Sequence, residues 1–187
     1  SPRYITSPEK IDGLSLEERR QCAEVAKTYA FRANDYYLSL IDWNDPEDPI
    51  RRIVVPDPGE LDPWGALDAS DEKSYTKAPG LEHKYEHTVV LLVNDVCGAF
   101  CRFCFRKRLF MRQDNETVRD VNAGLAYIRE HAEVNNVLLT GGDPLLLSTA
   151  RLETIIAALR DIPHVRIIRL GTKIPAFNPM RILDDPP

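Results

Sequence analysis

Residues 88–104 read TVVLLVNDVCGAFCRFC. Thr88–Asn94 is a near-continuous apolar run rich in β-branched residues, the pattern of a strand buried on both faces. A loop follows it directly, carrying Cys97, Cys101 and Cys104 in the spacing C-x-x-x-C-x-x-C. Downstream the grammar of alternating strand and helix continues. Residues 115–132 predict a helix, 136–140 a strand, 148–160 a helix with Leu152, Ile155, Ile156 and Leu159 on one face, and 165–170 a third strand. Repeated βα units imply a parallel sheet or barrel with its functional groups at the carboxyl ends of the strands. The cysteine loop and Gly141-Gly142-Asp143-Pro144 both follow predicted strands at such ends.

Upstream the pattern differs. Ser15 and Glu18 form a capping box ahead of apolar positions at helical spacing, predicting one long helix or two shorter ones. The stretch from about residue 42 to 80 is rich in Pro, Asp and Gly, where regular structure should be short. The chain therefore divides near residue 87, with a helical N-terminal region and Pro/Asp-rich connector over 1–87 and the βα series over 88–187. Trp43 and Trp64 are expected to anchor the connector, and the acidic runs Asp45–Asp48 and Asp68–Glu72 to be solvated. Ser148 is expected to cap the helix it precedes, and His131 to cap the C-terminus of another.

The 187 residues are 43% hydrophobic and 28% charged, enough to bury a sizeable core. A net charge of −5 gives no global basic field for nucleic acid or an anionic membrane, although Arg102, Arg106, Lys107, Arg108 and Arg112 form a local basic run. No apolar stretch has the length of a membrane span and no secretory pattern opens the chain, so a cytoplasmic protein is the expectation.

Three of the four cysteines lie too close together to staple distant segments. In a reducing compartment a tight thiol cluster more often binds metal. Cys22, within the first helical pattern, reads as a small buried hydrophobe. A cubane iron–sulfur cluster takes four thiolates, so three leave one iron open to a substrate or cofactor, whereas structural zinc closes its tetrahedron with four protein ligands. The zinc reading would need His83, His87 or His131 as a fourth ligand.

The cysteine spacing after the first strand of a βα series, with Phe103 just before the last cysteine, resembles the signature of radical S-adenosylmethionine (SAM) enzymes. The stretches DPEDPIRRIVVP (45–56), PGLEHKYEHTVVLLVNDVCGAFCRFCFRKR (79–108) and LLTGGDPLLLS (138–148) resemble the lysine 2,3-aminomutase family, and YYLSLID (36–42) its N-terminal helical region. The resemblance runs in colinear order over nearly the whole chain. It implies a partial (β/α) barrel of the radical SAM type, of which the first three or so βα units are present here, preceded by the helical N-terminal region. It also implies that this chain is part of a longer enzyme; three strands would leave an open parallel edge and an uncovered apolar face, so the chain is expected to fold poorly alone.

The same resemblance implies a [4Fe–4S] cluster on Cys97, Cys101 and Cys104, with SAM on the open iron. One electron from a flavodoxin- or ferredoxin-type donor would cleave SAM to methionine and a 5′-deoxyadenosyl radical, the cofactors carrying the chemistry and the protein orienting them. Phe103 would lie near the adenine, and the backbone of Gly141, Gly142 and Asp143 would meet the SAM amino group. Arg106 matches the family arginine that pairs with the carboxylate of an amino-acid substrate, its planar fork suiting that role; the alternative is a solvated cation beside Lys107 and Arg108.

In the aminomutases pyridoxal phosphate (PLP) carries the migrating amino group and arginines hold its phosphate. At the matching positions this chain has Lys84, Thr88 and Lys173, with Tyr85 retained, so the bidentate geometry is weakened. The expected activity is conversion of an α-amino acid, lysine by default, to a β-amino acid, with a homo-oligomer as the family's tendency. Two alternatives stay open: a radical SAM reaction without PLP, and a non-catalytic iron–sulfur or zinc module that binds a partner through the basic run from Arg102 to Arg112.

Overall fold

The computed structural model describes residues 2–111 and 116–184. In chain order the elements are β1 (Tyr4–Ile5), α1 (Leu16–Thr28), β2 (Ala33–Asn34), α2 (Asp35–Leu38), α3 (Pro49–Val54), β3 (Thr76–Ala78), β4 (Leu81–Tyr85), β5 (Thr88–Asn94), α4 (Asn122–Glu130), β6 (Asn136–Gly141), α5 (Thr149–Arg160), β7 (Ile167–Leu170), α6 (Ile174–Phe177) and α7 (Met180–Leu183). The described residues fall into two compact units, one within Ser1–Leu67, Cys97–Arg112 and Ile174–Pro187, the other within Asp68–Val96 and Gln113–Lys173. No helix among them is long and apolar enough to cross a membrane.

The second unit is a mixed five-stranded sheet in the order β3-β4-β5-β6-β7. β5, β6 and β7 are parallel, as βα repeats require, with Thr88 opposite Asn136 and Asn136 opposite Ile167. Period-two alternation sends Val89, Leu91 and Val93 of β5, with Val137 and Leu139 of β6, into a core shared with Leu125 and Ile128 of α4 and Ile155 and Leu159 of α5. Each such side chain, buried completely, stabilises the fold by about 1.5–3 kcal/mol. Ser148 accepts from the Arg151 N–H and caps α5, as its position suggests.

Three local expectations are corrected in this unit. Antiparallel β3 and β4 extend the sheet inside the stretch read as connector, joined through Pro79–Gly80. α4 starts at Asn122 rather than near 115, because Val118 is tied by its N–H to the Leu92 carbonyl of β5 and the Asp120 carboxylate accepts from the Asn122 N–H; Asn115 lies outside the described residues. Glu72 is buried rather than solvated. β7 has Ile167 48% and Leu170 37% exposed, leaving an apolar parallel edge open.

In the first unit the capping box is present as read, the Ser15 hydroxyl accepting from the Glu18 N–H and the Glu18 carboxylate from the Ser15 N–H. α1 buries Cys22 and Val25, and Cys22 joins Leu14, Phe31, Tyr37, Val54 and Phe177 in a core. Trp43 packs against that core, but Trp64 is 87% exposed in its Pro-Trp-Gly stretch and anchors nothing. Asp48 is buried instead of solvated because its carboxylate caps α3, accepting from the Arg51 N–H at 2.8 Å.

Candidate functional site

From Cys97 to Cys104 the first unit holds a loop anchored at almost every second residue. Arg32 Nε donates to the Cys97 carbonyl at 2.8 Å, Asn34 Nδ2 to the Gly98 carbonyl at 3.3 Å, and the Phe100 N–H to the Arg32 carbonyl at 2.8 Å. The Arg102 N–H donates to the Ile53 carbonyl at 2.8 Å, and the Cys104 N–H closes a turn on the Cys101 carbonyl at 3.1 Å. Asn34 is fully buried and also caps α2 through Oδ1, while its Nδ2 reaches the Phe177 carbonyl at 2.8 Å. Cys97, Cys101 and Cys104 are half-buried, whereas Cys22 is buried. Desolvation pushes the Cys22 thiol up to about 11, which removes it from thiolate chemistry near neutral pH.

The charges of the loop are arranged around Glu60. Arg102 Nε and Nη2 each lie 2.9 Å from one of its carboxylate oxygens, and Lys107 Nζ lies 2.8 Å from Oε2. Arg102 Nη1 donates to the Ala30 carbonyl at 3.0 Å, and the Lys107 ammonium sits 4.4 Å from the Tyr29 ring centroid. Burial pushes the Glu60 carboxyl up, but the bonds from Arg102, Lys107 and the Asp57 N–H outweigh it and hold the pKa below the ordinary glutamate value. Arg102 and Arg108 are both buried, so the basic run is not the solvated patch that the partner-binding alternative needs; Arg112 lies outside the described residues. Arg106 is half-buried with its guanidinium 4.7 Å from the ring centroid of Phe105, and Phe103 is 64% exposed.

In the second unit Gly141, Gly142 and Asp143 leave β6 at the carboxyl end of the parallel strands. Gly141 has φ +103, and a Cβ there would stand 2.6 Å from the Asn94 carbonyl oxygen; one on Gly142 would stand 2.5 Å from the Val96 oxygen. Both glycines are thus demanded by packing on the 94–96 segment, whatever else they do. The Gly142 N–H donates to Asn94 O, the Asp143 N–H to Val96 O, and Asn94 Nδ2 to Asp143 O. The buried Asp143 carboxylate accepts from the Leu145 N–H, from the Thr172 hydroxyl at 2.7 Å and from the Lys173 N–H at 2.7 Å, which ties the β7 exit to the β6 exit.

Lys84 and Tyr85 stand at the opposite end of this sheet, where Tyr85 pairs with Thr88. Lys84 Nζ donates to the Ser70 carbonyl at 3.2 Å and lies 4.8 Å from the Tyr75 ring centroid. A strand the length of β5 separates Lys84 from Lys173, on the order of 20 Å at the usual rise per residue.

Among the described residues no three His, Cys, Asp or Glu side chains gather about one point as a mononuclear site would need. Thiolates that each ligate a different iron of a cubane do not require that convergence. The histidines of the zinc reading are engaged within the second unit: His83 bonds Tyr127 Oη and the Glu86 carbonyl, His87 Nδ1 the Glu133 carbonyl, and His131, the C-cap of α4, turns its ring to the Glu133 carboxylate. Reading the sequence missed Arg32, Asn34 and Glu60. Asn34 ahead of DYYL is a legible cap, but nothing local links Glu60 to a partner 42 positions away.

The radical SAM superfamily model matches residues 91–185. A "Putative L-lysine 2,3-aminomutase" of Aquifex aeolicus is 59% identical over 98% of this chain and 49% of its own length. The L-lysine 2,3-aminomutase of Clostridium subterminale is 42% identical over 90% of this chain and 41% of its own, and the glutamate 2,3-aminomutase of Clostridioides difficile 36% identical over 94% and 42%. The chain spans about half the length, or somewhat less, of the curated relatives it matches. A half-buried three-cysteine loop that leaves the first parallel strand, glycines packed at the carboxyl end of the next, and a family match spanning both have one reading: the chain belongs to the radical SAM superfamily.

Proposed function

We propose that this chain is the cluster-binding part of a radical SAM 2,3-aminomutase in which Cys97, Cys101 and Cys104 each ligate one iron of a [4Fe–4S] cluster. The observation that carries this reading is the cysteine loop: three half-buried cysteines on a backbone fixed from several sides, with Cys22 buried in the core. When bound, the cluster and SAM supply a 5′-deoxyadenosyl radical that abstracts hydrogen from an unactivated carbon. Gly141, Gly142 and Asp143 offer backbone groups to the SAM amino group, and Asp143 keeps its carboxylate for Thr172 and Lys173. Phe103, 64% exposed, would meet the adenine, and Arg106 a substrate carboxylate through a two-bond fork. The sheet forms the first part of a partial barrel, and the setting is the cytoplasm, where a flavodoxin- or ferredoxin-type donor reduces the cluster.

The substrate is an α-amino acid, lysine being named in relatives such as those of Clostridium subterminale and Acetoanaerobium sticklandii and glutamate in that of Clostridioides difficile. PLP is the further cofactor of this reading, its phosphate met by Lys84 and Tyr85 at their end of the sheet or by Lys173 at the other. A reaction without PLP is favoured by one observation: Lys84 is turned to Ser70 and Tyr75, and Thr88 beside it carries no charge. Anaerobic reconstitution of the full-length protein, with iron count and PLP content from one sample, separates the two. Cluster with PLP supports the aminomutase, cluster alone supports the PLP-independent reaction, and neither signal refutes both. Assembly into a homo-oligomer belongs to the same proposal and is read by light scattering on that sample.

A further inference from the structure

Arg102 lies between two of the cluster cysteines and is fixed from both ends. Its N–H is bonded to Ile53, its Nη1 to Ala30, and its Nε and Nη2 to the two oxygens of Glu60. The Glu60 side chain is 11% exposed and that of Arg102 7% exposed, so this is an ion pair removed from water. Lys107, three positions after Cys104, is bonded to the same carboxylate. One anion therefore holds the residue inside the Cys101–Cys104 turn and the residue at the turn's exit.

A buried charge pair is not an economical way to stabilise a fold, since well-packed apolar residues do as well or better. What it adds is geometry: a bidentate fork fixes both distance and plane. We propose that Glu60 is a positioning residue for the cysteine loop, gripping Arg102 and Lys107 so that the Cys101–Cys104 turn holds its ligating shape before a cluster arrives. This rests on the reading of the three cysteines as cluster ligands. Ordering the turn then costs entropy in folding and not at cluster binding, the general advantage of a preorganised site. The grip also directs two cations into the first unit's interior, where Ala30 O and the Tyr29 ring receive them.

The test is Glu60→Gln in the full-length protein, with Glu60→Asp as the conservative variant and Glu17→Gln, on an exposed helical pair, as the control. Hydrogen exchange of the apoprotein reads the amides of residues 98–108, and chelator challenge of the reconstituted protein reads the rate of cluster loss. Losing a charge-assisted bidentate pair should lower protection across the turn and speed cluster loss by about tenfold or more in Glu60→Gln. Glu60→Asp should recover part of both, and Glu17→Gln should match wild type. Unchanged protection and an unchanged chelator rate in Glu60→Gln would overturn the proposal. So would loss of protection spread equally over α1 and β2, which would make Glu60 a general structural residue. If the wild-type protein takes up no cluster, the proposed function fails, and exchange in the apoprotein still decides whether Glu60 fixes the turn.

Discussion

Arg102 and Glu60, 42 positions apart in sequence, meet as a two-bond fork with both contacts at 2.9 Å. The fork needs the planar guanidinium. Arg102→Lys keeps the charge and loses one of the two parallel bonds together with the bond to Ala30. Chemical denaturation should find the variant less stable by about 1.5–3 kcal/mol, and equal midpoints would mean that the fork adds nothing over a point charge.

The four cysteines should separate cleanly by reactivity. Cys22 is buried, its thiol donates to the Pro56 carbonyl at 3.2 Å, and desolvation lifts it to about 11. Cys97, Cys101 and Cys104 are half-buried. Alkylation of the native apoprotein at mildly alkaline pH, followed by peptide mass spectrometry, should label the loop cysteines and leave Cys22 until the chain is unfolded. Rapid native labelling of Cys22 would contradict its place in the core.

Glu18 couples α1 to Arg51 and should shape the acid limb of stability. Bonds from the Ser15 hydroxyl and N–H, then the Arg51 guanidinium, lower it from the usual 4.5 to about 2. A carboxyl whose pKa is depressed by folding contributes stability that is complete above its unfolded value and lost as pH falls through its folded one. The loss attributable to Glu18 therefore runs from about pH 4.5 down to about pH 2. Glu18→Gln should flatten the stability profile in that window and leave its shape near neutrality unchanged, which a series of denaturant midpoints against pH would read.

Gly141→Ala should be costly in the second unit. The φ of +103 strains any side chain, and the added Cβ would stand 2.6 Å from the Asn94 carbonyl oxygen. A loss of about 1–3 kcal/mol is expected from the backbone conformation alone, with more if Asn94 cannot move. A variant as stable as wild type would show that the β6 exit rearranges at no cost.

The elements with strong local signals were legible. β5 carries seven consecutive residues of strand character and lies where the apolar run places it, while α1 and α5 begin at the caps their sequences advertise. The features that escaped depend on partners distant in sequence. β4 gains its place by pairing with β5, which Leu-Glu-His-Lys-Tyr does not announce by composition. Asp48 and Glu72 look like members of solvated acidic runs until capping and packing bury them. In the candidate site the cysteines and glycines stand out because their spacing is local, and the residues that brace the loop, Arg32, Asn34 and Glu60, are visible only once the chain is folded.

The most direct test of the central claim is formation of 5′-deoxyadenosine from SAM by the full-length, anaerobically reconstituted and chemically reduced protein, compared with Cys97→Ala, Cys101→Ala and Cys104→Ala. The account predicts the product in the wild-type protein, about four irons per chain, and loss of the product in each variant. Product undiminished in any of the three variants, or an absence of both iron and product in the wild-type protein, would contradict it.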